Sequence, residues 1–161
     1  MTGVYVEYRV PTKPLEAEIL TADGRIFQGK VFVPDVAATH RGPMRAAEWM
    51  NEPMAFFPFV PGDGSGAFLL NRSEVLVFTV AAEADANLDD PEETGAKRRH
   101  VVVECRDRRF EGEIVIDMPP HLRRVSDFLN RPDPFVIVQE GGRHHLIRKA
   151  RITRVLEPRE T

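Results

Sequence analysis

Arg45-Ala46-Ala47-Glu48-Trp49-Met50-Asn51-Glu52-Pro53-Met54-Ala55-Phe56 and Arg124-Val125-Ser126-Asp127-Phe128-Leu129-Asn130-Arg131-Pro132-Asp133-Pro134-Phe135 follow one pattern. Each reads Arg, two spacers, an acid, an aromatic, a Met or Leu, Asn, one spacer, Pro, two spacers and Phe. Chemistry matched in one order predicts a duplicated unit, and a missed repeat misreads the whole fold.

The flanks extend the match. Gly24-Arg25-Ile26-Phe27-Gln28-Gly29-Lys30-Val31 parallels Asp107-Arg108-Arg109-Phe110-Glu111-Gly112-Glu113-Ile114. Further on, Leu70-Asn71-Arg72-Ser73-Glu74-Val75-Leu76-Val77-Phe78 parallels Ile147-Arg148-Lys149-Ala150-Arg151-Ile152-Thr153-Arg154-Val155. The predicted units are residues 1–80 and 99–161, with 81–98 between them as an acidic linker. That linker holds Pro and Gly but almost no large apolar group, so it cannot bury a core.

Each block has a local reading. Residues 17–33 predict strand, turn, strand, with Gly24 supplying the positive φ of a tight hairpin. Residues 101–116 do the same around Arg106-Asp107-Arg108. Gly29 and Gly112 fall inside second strands, where Gly marks a bulge or a bend. The matched middle block predicts a short helix. In the second copy Leu122, Val125, Phe128 and Leu129 form one apolar stripe, opened by Pro119 and Pro120 and stopped by Asn130 and Pro132. Pro43, Asn51 and Pro53 give the same signals in the first copy. Short apolar runs from Phe56 and Phe135, then two more strands each, complete a β-β-α-β-β-β unit.

This arrangement resembles the Sm-like and SH3-like small β-barrels: strand, Gly-containing turn, strand with an internal Gly, and a closing pair joined by a polar turn. Leu69 to Val75 and Leu146 to Ile152 are similar to the closing Sm motif. The resemblance implies a mainly β fold with short helices, built as two tandem small β-barrels; it carries over no RNA-binding residue. Lys97-Arg98-Arg99 resembles the basic arm of PilZ-like receptors, but that family's Asp/Asn-x-Ser-x-x-Gly element has no match after Ile116.

The bulk properties narrow the function classes. The chain has 161 residues, a net charge of −3 and a single cysteine, Cys105. The charge argues against general nucleic-acid binding, and one cysteine excludes an internal disulfide framework and suits the cytoplasm. The N-terminus reads as no signal peptide, and no apolar run is long enough to insert in a membrane.

Chemistry is sparse. His144 and His145 are neighbours on a predicted strand and point to opposite faces, while His40, His100 and His121 lack a partner at ligand spacing, so no metal site is expected. Asp35, His40 and Glu48, or Asp117, His121 and Asp127, could do acid–base work, but neither set has a nucleophile beside it. No catalytic residue and no cofactor is assigned. The residues with the best case for binding a partner are Arg45, Trp49, Arg124, Arg148, Lys149 and Arg151. The leading expectation is a non-enzymatic interaction or scaffold protein that associates with itself or another protein. RNA binding through the basic second copy is the alternative, and a small ligand at the helix-entry loops the third. The strand Glu74 to Val80 is almost free of charge and needs a cover.

Overall fold

The computed structural model describes residues 11–35, 44–85 and 95–159. The strands are β1 (Thr12–Thr21), β2 (Ile26–Pro34), β3 (Phe56–Pro61), β4 (Phe68–Asn71), β5 (Val75–Ala81), β6 (Lys97–Cys105), β7 (Arg108–Ile116), β8 (Phe135–Glu140), β9 (Arg143–Arg148) and β10 (Ile152–Leu156). Two one-turn helices, α1 (Ala46–Met50) and α2 (Val125–Leu129), follow the second strand of each half. His40, Pro43 and residues 86–94 of the acidic stretch lie outside the described residues.

All ten strands join one antiparallel sheet in the order β10-β6-β7-β8-β9-β5-β1-β2-β3-β4. The expectation of two small closed barrels is therefore overturned. A barrel would satisfy the edge of β5 within its own half; here β5 pairs with β9 of the other half, from Val77↔Ile147 to Ala81↔Arg143. The uncharged run Val75–Phe78 is buried there, so the ladder crosses between the halves and, among the described residues, the sheet stays open at β4 and β10.

Within each half the strands pair in the same order and the same register. Ile19↔Phe78 and Leu20↔Val77 in the first half stand where Val103↔Val155 and Glu104↔Arg154 stand in the second. Lys30↔Val60 stands where Glu113↔Gln139 does. The internal glycines also match. The ladders run through Gly29 and Gly112 without a shift, so neither marks a bulge. Instead a Cβ at either would strike the main-chain carbonyl of the next strand, at Val60 or Gln139.

The helices are shorter than the apolar stripe suggests. Arg124 is extended (φ −76°, ψ 149°), so Pro120–Leu122 forms a separate 3-10 turn and α2 begins only at Val125. Leu122 accordingly leaves the stripe and is exposed. Beneath the helices lie two apolar cores. The first holds Ile19, Val31, Trp49, Phe57 and Phe78, and it also takes in Phe135 and Leu146 from the second half. The second holds Val101, Val103, Ile114, Val138 and Ile147, with Leu76 and Val77 from the first.

Candidate functional site

The nominated residues do not converge on one surface. Trp49 is 3 % exposed and packs on Phe57 and Phe78, so it is core and not a docking residue. The reason is its place on the inward stripe of α1, beside buried Ala46 and Met50. Arg148 donates from Nε to the Val75 carbonyl (2.8 Å) and from its guanidinium to the Arg72 carbonyl, and it lies over the Phe135 ring. Lys149 donates from Nζ to the Leu129 (3.2 Å) and Arg131 (2.6 Å) carbonyls at the end of α2. Both cations are thus spent inside the fold. Arg124 forms an i,i+3 ion pair with Asp127 at 2.9 Å, which holds that carboxyl below its ordinary range. At α1 the Arg45 main-chain N–H donates to the Glu48 carboxylate (3.1 Å). Arg151 remains exposed.

Among the described residues no group of three His, Cys, Asp or Glu side chains could hold a metal ion. His144 and His145 do face apart. His144 Nδ1 meets Asp85 Oδ2 at 3.0 Å, and Asp85 also accepts from the Ala46 main-chain N–H at 2.9 Å. This buried pair ties α1 to β9 across the two halves. His145 Nδ1 meets Thr79 Oγ1 at 2.8 Å inside the β5–β9 ladder. Burial lowers the His145 pKa, against the opposing pull of the Glu140 carboxylate. A broad trough of about 1190 Å³, walled by Glu16, Glu18, Lys30, Glu83 and Arg143 among others, carries both signs of charge and no cluster suited to chemistry.

A pH dependence follows from His145. The unfolded chain takes up a proton near pH 6.5, whereas the folded imidazole resists it to lower pH. Stability from this residue is complete above that value and declines as the pH falls below it. The urea midpoint should therefore drop between about pH 7.5 and about 5.5. His145→Asn, which keeps an oxygen facing Thr79 but cannot titrate, should flatten that drop; an equally steep drop in the variant would refute it.

The feature that sequence reading missed is the contrast between one satisfied sheet edge and two open ones. At the satisfied junction, Phe78 and Leu146 face each other, both 0 % exposed. Phe135 is 4 % exposed, and its main-chain N–H donates to Asn51 Oδ1, just past α1, at 3.0 Å. The matching residues of the first half are Phe56 for Phe135 and Leu69 for Leu146. These are 53 % and 67 % exposed, on β3 and the open edge β4. At the other end, β10 borders an open groove of about 410 Å³ lined by Arg99, Arg124, Val125, Leu129 and Val155. The signal lies in the aligned segments of the sequence: they give the counterpart of each buried junction residue, but not which of the two finds cover.

Among the described residues no helix is long and apolar enough to cross a membrane. Comparison with protein-family models, with curated proteins and with solved structures finds no match.

Proposed function

We propose that this chain is a non-enzymatic interaction protein, two copies of one unit in a row, that binds other protein chains through the open edges of its sheet. The observation that carries the reading is Leu69, a large apolar side chain 67 % exposed on a strand with one neighbour among the described residues. Unpaired strand edges present a row of N–H and C=O groups that template pairing, and natural proteins protect such edges unless they are used. Phe56 and Met54 stand exposed near it, enlarging the apolar patch.

The nucleic-acid alternative draws less support. Of the three cations that best mark a basic face, Arg148, Lys149 and Arg151, the first two are committed to main-chain carbonyls and Arg151 is exposed. Arg154 is paired with Glu104 at 2.6 Å.

The test is a photo-crosslinking side chain, benzoylphenylalanine, placed at position 69 in living cells and compared with the same group at exposed Glu16. A protein adduct at 69 that is missing at 16 is the expected result. No adduct at 69 would overturn the reading, and salt-sensitive capture of RNA or DNA oligonucleotides by the full chain would then favour nucleic acid.

A further inference from the structure

We infer that the occupant of these edges is a second copy of this chain, paired head to tail, with β4 of one molecule laid against β10 of the next. The inference rests on the interaction reading above and names its partner.

The argument is one of equivalence. Each half orders its strands alike, as β5-β1-β2-β3-β4 and β10-β6-β7-β8-β9. Joined end to end, the halves use the fourth strand of one (β9) and the fifth strand of the other (β5). Left over are the fourth strand of the first half and the fifth strand of the second. These are the same two kinds of edge that already pair inside the molecule. A surface that binds its counterpart once within the chain can bind it again between chains.

The register transfers without adjustment. Val77↔Ile147, Phe78↔Leu146 and Thr79↔His145 in the chain become Arg154↔Leu70, Val155↔Leu69 and Leu156↔Phe68 between chains. Every pair on that ladder either is apolar or has a long stem to lay over its neighbour. Leu69 then enters the second core as Leu146 enters the first, and Phe56 follows as Phe135 does. The space that receives them is the groove beside β10, whose Leu129 and Val155 stand where Met50 and Phe78 stand in the filled site. Those two first-half residues are fully buried, while Leu129 and Val155 are only partly so. Asn130, in the place of Asn51, accepts the Phe56 main-chain N–H of the incoming chain.

Such a contact joins two different surfaces, so it propagates. Head-to-tail interfaces close into a ring when the rotation allows and otherwise run on as a filament. The geometry here repeats the internal step, so all junctions in the assembly, within and between chains, are alike. The ring is the closed form, in which no edge remains open and the mass is defined.

Cysteine pairing reads the proposal directly, because Cys105 is buried. Leu69→Cys in one chain and Val155→Cys in another should cross-link on oxidation with copper phenanthroline when the two are mixed. Neither single variant should cross-link with itself, since Leu69 never meets Leu69 in a head-to-tail contact. The chain carrying both substitutions should give a species of defined mass holding several chains, and light scattering of the unsubstituted protein should give that same mass. Phe56→Glu with Leu69→Glu should leave a single chain that still folds, because both sites are exposed within one chain, and its melting temperature should fall below that of the assembled parent and lose any dependence on protein concentration. Cross-linking by either single variant alone would indicate a face-to-face contact and overturn the inference, as would a single-chain mass for the parent protein. An adduct at position 69 to a different protein would sink the self-pairing while leaving the interaction reading intact. No adduct at all would remove both.

Discussion

Gly112→Ala should lower the stability of the fold by about 3 kcal/mol, a large share of the roughly 5–15 kcal/mol that holds a domain of ordinary size. On propensity alone the sign would be opposite, since Gly inside a strand is less favourable than Ala by about 0.5–1 kcal/mol. The local geometry reverses it. The added methyl would sit 2.9 Å from the Gln139 carbonyl carbon and closer still to its oxygen. These are main-chain atoms of β8, which cannot rotate aside as a side chain can. Relief requires β7 and β8 to separate at Glu113↔Gln139, the pair that defines their crossing. Gly29 meets the Val60 carbonyl in the same way, so Gly29→Ala should cost a similar amount. Gly142→Ala is the control: nothing lies within 4 Å of its added carbon, and its substitution should be close to neutral. Urea unfolding of the three variants checks the set. A Gly112→Ala protein as stable as the parent would refute the close approach.

That case also shows where sequence reading reached and where it stopped. The mainly β character followed from alternation and turn residues. Gly24 does take the left-handed conformation of its turn (φ +85°), and Arg106, in the corresponding hairpin, does so without being Gly (φ +56°). What Gly112 does, however, depends on a strand far away in sequence, and a lone Gly cannot distinguish a bulge from a close approach. The same limit explains the barrel expectation. Whether five strands close on themselves or open toward a neighbour is set by which edge finds β5, and an apolar run such as Val75–Phe78 reports only that some partner covers it. Trp49 was misplaced for a different reason. Its helix partners Ala46 and Met50 already mark an inward stripe, and that periodicity outweighs the usual role of Trp at interfaces. Of the candidate site, Phe56 and Leu69 were visible only as aligned counterparts of Phe135 and Leu146. Matching positions in the two aligned segments gave them no separate signal, because exposure is decided by what each end of the sheet meets.

Arg72→Ala should cost about 3–4 kcal/mol, the other large effect, and it turns on how each half ends its helix. A helix leaves its last carbonyls without intrahelical partners, and a cation placed there satisfies them and opposes the negative end of the helix dipole. Arg72 does this for α1: Nη1 donates to the Trp49 carbonyl at 2.5 Å and Nε to the Met54 carbonyl at 2.6 Å. Its guanidinium also lies over the Trp49 and Phe57 rings, at 5.0 and 5.4 Å from their centres. Truncation removes two charge-assisted bonds and the stacking on both rings, leaving the Trp49 carbonyl to the Glu52 main-chain N–H (3.2 Å). The second half supplies the comparison. Lys149 stands in the matching 3-10 turn and reaches the Leu129 and Arg131 carbonyls, so an ammonium can do this task in the same backbone setting. Arg72→Lys should therefore retain the carbonyl contacts while losing the planar stacking, and cost only about 1–2 kcal/mol. Chemical unfolding of the two variants separates the contributions. If Lys proved as damaging as Ala, the helix-end role would fall, and the stacking on Trp49 and Phe57 would be what Arg72 supplies.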